Sequence, residues 1–333
     1  LSVVFGLVAS IGQGVMQMSN GLERVGISFE SKQIGYILIL LAIGFCYILS
    51  SLTGIGKGIK ILSDVNMVAC IALMIFILLL GPTHFILETA VTSLGDYVSS
   101  FIKKGLDLKH YNNDQEWTQN WTVNYFLWWI AWGPFVGVFI ARISRGRTIR
   151  EFIIGVVFVP TLFSVLWFST LGGASIYMDM FEGTNLGEIA SKDLSAATFA
   201  LLEQLPIDII TSVLTLFLIF IFLVTSADSG SYVLGMFTSE GNPNPPTFQK
   251  LFWGIMVALV TAGVLLEWND VLLVRTIAMA GAVPYLIIMI FQSYALWKFL
   301  KKDVEDINEQ FVNLTLPKNK ATEPNEESNA EPE

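Results

Sequence analysis

Four of the chain's nine tryptophans fall within twelve positions, at Trp121, Trp128, Trp129 and Trp132. On a helix, Trp128 and Trp132 lie one turn apart and Trp129 precedes Trp132 by three residues, so these indoles can share one wall. An indole face attracts a cation through its quadrupole, and several convergent faces hold a quaternary ammonium without hydrogen bonding it. That chemistry suits a substrate with a permanent positive charge and no N–H to donate. An acidic residue would hold the cation more strongly but is costly to bury unpaired. The same rings would also serve as interfacial belt or packing aromatics, because tryptophan is common at membrane surfaces. Gly133 and Gly137, on either side of Pro134, have the spacing that admits another helix backbone.

A second group is Phe222, Thr225 and Ser226 within an apolar run. Adjacent hydroxyls at membrane depth are suitable ligands for a hard monovalent cation, although a transmembrane threonine also bonds the carbonyl four residues earlier. A third is the basic run Arg142, Arg145, Arg147 and Arg150. It reads as a cytoplasmic topology signal or as a gate in which one arginine pairs with an acid such as Asp228. Cys46 and Cys70 sit in apolar runs as small hydrophobes, and His84 and His110 lack metal-ligand spacing. The sequence offers no nucleophile with a base in reach, so neither an enzyme nor a resident cofactor is expected.

The elements that must position these residues are membrane helices. Of 333 residues, 53% are hydrophobic and 14% charged, against about 25% charged in a soluble domain; the mean hydropathy is +0.62. The formal charge of −9 lies mostly in residues 303–333, which hold nine acids and two bases, so the body offers nucleic acid no basic surface. Eight charge-free stretches are long enough to cross about 30 Å of hydrocarbon as helices: 1–22, 33–56, 65–87, 117–141, 152–178, 209–227, 251–266 and 276–297. Alternation of the connections puts the arginine run, Lys57, Lys60, Lys250 and the basic residues after 297 in the cytoplasm, and Arg24, Lys32, Lys103, Lys104, Lys109, Lys192 and Arg275 outside. Thr89–Leu106 and Ser191–Leu205 have the apolar spacing of interfacial helices. The tail after 302, and above all 315–333, reads as disordered. The opening directly on an apolar segment at Leu1 reads as the continuation of a longer protein.

The run Trp121-Thr122, Tyr125, Trp128-Trp129-Ile130-Ala131-Trp132, Pro134-Phe135-Val136-Gly137 and Phe139 to Phe152 resembles the signature of the betaine/choline/carnitine transporters. The likeness extends from Ser10-Ile11-Gly12-Gln13-Gly14, through Gly58 to Ser63 and Leu80-Gly81-Pro82, to Thr225-Ser226-Ala227-Asp228-Ser229. It implies an all-α membrane protein with a leucine-transporter-type inverted-repeat bundle, of whose twelve helices about eight are present. Residues 1–87 would be the last three helices of the first repeat, 88–116 the extracellular connection, 117–302 the five-helix second repeat, and 303–333 the acidic tail. Two core helices would lie upstream of Leu1.

The resemblance further implies that Trp128, Trp129 and Trp132 contribute to a trimethylammonium site, that Phe135 helps gate it, and that Phe222, Thr225 and Ser226 match sodium-binding positions. Asn124 and Phe126 replace aromatics usual in the signature, and Asn124 is placed to bond a substrate carboxylate or hydroxyl. The implied function is sodium-coupled uptake of a trimethylammonium solute, glycine betaine foremost, across a bacterial plasma membrane, by a protein that is commonly trimeric in this family. The alternatives are sodium-independent exchange of carnitine-like compounds and a non-transporting osmolyte sensor.

Overall fold

The structure, a computed structural model, describes residues 1–53, 56–107, 115–268 and 270–315, and side chains at 51–60, 115, 142 and 307–315 lie outside that description. Its elements are α1 (Ser2–Arg24), α2 (Lys32–Thr53), α3 (Gly56–Leu80), α4 (Thr83–Leu106), α5 (Gln115–Trp117), a π-helical segment Thr118–Val123 and α6 (Asn124–Ile143). There follow α7 (Ile149–Ile153), π-helical Ile154–Phe158, α8 (Val159–Tyr177), π-helical Met178–Glu182 and α9 (Leu186–Lys192). A 3₁₀ turn Leu194–Ala196 leads to α10 (Ala197–Leu202), α11 (Asp208–Thr238), α12 (Thr247–Glu267) and α13 (Val271–Thr315). Among the described residues, eight helical stretches are long and apolar enough to span a bilayer, in the order the sequence predicts.

Residues Leu1–Tyr285 form one compact unit, with α1 at its centre packed on α2, α6, α11 and α12. Small residues make that position possible. Ala9, Ala131, Ala278 and Ala282 are fully buried together where α1, α6 and α13 meet. A Cβ at Gly6 would lie 3.3 Å from that of Ala131, and one at Gly281 only 2.7 Å from the Cα of Ser2. Gly133 belongs to the same pattern, since its missing Cβ accommodates Tyr285, whereas Gly137 faces open space. The expected backbone approach at this glycine pair is therefore a single side-chain contact. Residues 286–333 form a second unit, whose described part is the remainder of α13 and carries a Lys301–Glu305 pair at 3.9 Å.

Several expected boundaries move. The third span ends at Leu80 because Gly81-Pro82 cannot continue the ladder; the Thr83 hydroxyl donates to Leu78 O at 2.6 Å, and 83–87 open α4 instead. The sixth does not stop at Ala227, since neighbouring helices bury Gly230, Ser231, Val233 and Leu234 as α11 runs on to Thr238. The eighth begins at Val271, five residues early, and so takes Arg275 inside. Residues 303–315 are helical rather than disordered; they contain neither glycine nor proline, and Glu305 pairs with Lys301 one turn earlier. The acidic remainder, 316–333, lies outside the described residues.

Of the two expected interfacial helices, α4 exposes Val91, Leu94, Val98, Phe101 and Ile102 as the pattern requires. The other is broken at Asp193 and turned inward: Phe199, Leu201 and Leu205 are core, with Phe199 filling the space that a Cβ at Gly21 would take. Asp193 accepts from Ser195 N at 2.9 Å and Asn20 Nδ2 at 3.1 Å, tying this segment to the end of α1. Burial alone would push its carboxyl up. The bonds from Ser195 and Asn20, with Lys32 nearby, instead hold it below the usual carboxylate range.

Candidate functional site

A row of aromatic ring pairs runs from Trp121, in the π-helical turn before α6, to Phe135 midway along α6. Ring centroids are 6.4 Å apart for Trp121–Tyr125, 5.7 Å for Tyr125–Trp128, 5.8 Å for Trp128–Trp129 and 5.3 Å for Trp132–Phe135. Three cavities lie along it. The one at the Trp121 end, about 520 Å³, is lined also by Lys32, Lys192, Asp193 and Asp270. The middle cavity, about 450 Å³, is walled by Trp128, Trp129, Trp132, Ser10, Gly133 and Val136. The third, about 500 Å³ and toward the arginine run, is lined by Phe135, Phe139, Ile143, Asp228 and Tyr232 among others. Phe135 thus packs on the last indole of the middle cavity while facing the next one.

The indoles are held by one hydroxyl. Ser10 Oγ accepts from Trp128 Nε1 at 3.0 Å and from Trp132 Nε1 at 3.1 Å, and donates to Gly6 O at 2.9 Å. A hydroxyl has one proton and two lone pairs, so Ser10 is saturated and fixes both rings at once. The alanine contacts explain its reach, since nothing larger than a methyl group separates α1 from α6 at Ala131. Trp129 is 60% exposed and forms the open edge of the cavity, packed on Trp128 and Tyr125. Among the described residues no charged side chain lines this middle cavity. Its surface offers a cation π faces and dispersion contacts and leaves anionic ligands no partner within it.

One turn of α1 beyond Ser10, Gln13 accepts from Arg275 Nη2 at 3.2 Å and donates to Ala9 O at 3.1 Å. Arg275 is only 4% exposed, with its guanidinium carbon 5.0 Å from the Tyr125 ring centroid and 5.2 Å from that of Trp128. By sequence this arginine falls outside the membrane, because a charge-free window must stop at it. The fold buries it one turn inside α13, where two ring faces and an amide oxygen offset part of the lost hydration. Ser10 and Gln13 likewise went unassigned. Asn124, expected to face the substrate, is buried with its amide nitrogen 3.4 Å from Asn120 Oδ1, and Phe126 is exposed.

The hydroxyl pair sits mid-helix in α11. Thr225 Oγ1 donates to Ile221 O at 2.9 Å and lies 3.1 Å from Phe222 O, while Ser226 is half-buried and Phe222 exposed. Helix α1 touches this helix as closely as it touches α6: a Cβ at Gly14 would meet Leu223, and Leu7 fills the space beside Gly230. Asp228 is half-buried at the third cavity. Arg145, Arg147 and Arg150 are exposed on the turn after α6 and the start of α7, and the side chain of Arg142 lies outside the described residues.

A family profile described as betaine/carnitine/choline family transporter matches residues 1–305. The chain belongs to the betaine/carnitine/choline transporter family. Within this family it is 38% identical over 307 residues to the ectoine/hydroxyectoine transporter of Virgibacillus pantothenticus, covering 91% of this chain and 60% of that protein. It is 36% identical over 307 residues to the glycine betaine transporter OpuD of Bacillus subtilis, covering 92% of this chain and 59% of the relative. To the high-affinity choline transport protein of Escherichia coli K12 the identity is 34% over 316 residues, covering 94% and 46%. The chain therefore spans between about half and three fifths of these relatives. Betaine/carnitine/choline family members are multi-pass membrane transporters rather than enzymes, in keeping with the eight spans.

Proposed function

We propose that the protein takes up glycine betaine or a closely related trimethylammonium solute, coupled to inward movement of sodium. The observation that carries this reading is the middle cavity, where two indoles fixed by Ser10 and a third at the edge offer π faces and the lining holds no charged side chain among the described residues. Relatives named for glycine betaine and for choline handle quaternary ammonium compounds, which agrees with such a cavity. The ladder of cavities supplies a route, with Phe135 as the element between the middle and inner chambers.

Thr225 and Ser226, with Phe222, would hold the coupling sodium. A threonine hydroxyl that gives its proton to a backbone carbonyl keeps its lone pairs for a cation, so the bond to Ile221 O is compatible with that role. Helix α1, packed on both α6 and α11, would link ion and substrate as the helix bundle rocks to expose the site inward. Asp228 with the arginine run would close the cytoplasmic side, and the exposed face of α4 would serve assembly as a homotrimer.

Replacing sodium with potassium is expected to lower uptake of labelled glycine betaine at least about tenfold, the least that a coupling free energy of about 1.4 kcal/mol permits. Equal uptake in both salts, with counterflow in sodium-free proteoliposomes, would instead establish exchange. Tryptophan quenching by betaine without flux would establish a sensor.

A further inference from the structure

Arg275 presents a buried positive charge with unused hydrogen-bonding capacity. It is 4% exposed, and its Nε and Nη1 have no hydrogen-bond partner among the described residues. Nor does any described carboxylate lie within ion-pair distance of it. Its polar contact among the described residues, the Gln13 amide oxygen, is neutral and leaves Nε and Nη1 without a partner there. Stacking on Tyr125 and Trp128 satisfies the face of the group but none of its N–H edges. A guanidinium in this condition is costly to bury, and the group that best completes it is a carboxylate, which accepts two parallel bonds from the fork.

Position says where that carboxylate comes from. Trp128 is shared: its ring carries the guanidinium at 5.2 Å and also walls the middle cavity. Arg275 lies one turn along α13 from Val271 and Leu272, and Tyr125 lies four residues after Trp121 of the preceding π-helical segment; those outer residues line the cavity at the Trp121 end. A solute passing from that cavity to the middle one would therefore reach the arginine beside the first indole of the cage. The same charge opposes a bare cation arriving at Trp128, because like charges repel strongly where water is excluded.

We propose that Arg275 binds the carboxylate of the substrate, so that the site takes zwitterions, an anionic carboxylate joined to a methylated ammonium, in preference to carboxylate-free cations. The proposal rests on the trimethylammonium reading of the cavity and makes its substrate class specific. Gln13 is then a positioning residue, holding the fork toward the cage through Ala9 O and Nη2.

The test is competition of unlabelled glycine betaine and choline against labelled glycine betaine uptake in cells expressing the protein, with membrane levels measured for each variant. Wild type is expected to prefer betaine to choline at least tenfold. Arg275→Gln should weaken betaine at least tenfold and leave choline unchanged or improved, narrowing or inverting the preference. Arg275→Lys, which keeps the charge without the fork, should fall between. Equal weakening of both ligands, unchanged betaine affinity in Arg275→Gln, or a wild type that takes choline as well as betaine would overturn the assignment of Arg275 while leaving the aromatic site standing. A wild type that neither takes up nor is quenched by either ligand would remove the underlying reading and this one with it. Should the glutamine variant fail to reach the membrane, the lysine variant alone decides by the ratio of the two affinities.

Discussion

Trp132→Ala is expected to raise the glycine betaine concentration for half-maximal uptake about a hundredfold. The ring contributes to the middle cavity, packs on Phe135 at 5.3 Å and donates to Ser10 at 3.1 Å. Loss of one desolvated cation–π contact costs about 2 kcal/mol or more, and the released Ser10 bond about 1 more. Together these correspond to roughly two decades in affinity, since 1.4 kcal/mol is tenfold. Trp132→Phe keeps a π face and loses the N–H, so it should fall within about tenfold of wild type. Kinetics of labelled uptake, corrected for protein in the membrane, checks both. A loss under about fivefold for the alanine variant would mean that this indole packs the helix rather than the ligand.

The second large effect is on assembly of the site. Gly281→Val places carbon where Ser2 Cα would lie 2.7 Å away, Phe5 Cδ2 3.0 Å away and Leu1 O 3.3 Å away. Backbone cannot yield as a flexible side chain does, so α1 and α13 must separate, at a cost of about 1–3 kcal/mol. Since α1 carries Gln13 and α13 carries Arg275, the same separation breaks the bond that ties Arg275 beside the cage. We expect a fall of about 5 °C in the melting temperature of purified protein, together with loss of betaine affinity. Gly137→Ala is the matched comparison. Nothing lies within 4 Å of a Cβ there, and alanine is the better helix former, so it should leave stability equal or slightly higher.

What could be read directly from the sequence was governed by local chemistry. A charge-free apolar run has one structural outcome in lipid, so the spans and their order follow from composition, and indoles three and four residues apart share a helix face wherever the helix lies. The residues that went unassigned depend on contacts between helices distant in the chain. Ser10 is one hydroxyl in an apolar run until α6 brings two indoles to it across 118 and 122 positions. Its signal was the surrounding run of small residues, which permits close packing without naming a partner. Arg275 was misplaced for a related reason. A hydropathy window treats arginine as a boundary, whereas its π partners and Gln13 come from α6 and α1. The interruption at Asp193 carried a readable sign, an aspartate two residues before a serine, but the inward turn of Phe199 depended on the gap at Gly21.

The central claim is that the middle cavity recognises positive charge on a methylated nitrogen, and not merely its shape. Glycine betaine and 3,3-dimethylbutanoate share size, branching and carboxylate, differing in nitrogen against carbon at the centre of three methyl groups. Calorimetric titration of both into the purified protein separates charge from shape, with Arg275 able to meet the carboxylate of either. Cation–π recognition requires the carbon isostere to bind at least about thirtyfold more weakly, equivalent to about 2 kcal/mol from a single desolvated ring. Equal affinity for the two would show that the indoles form only an apolar pocket, and would contradict the account.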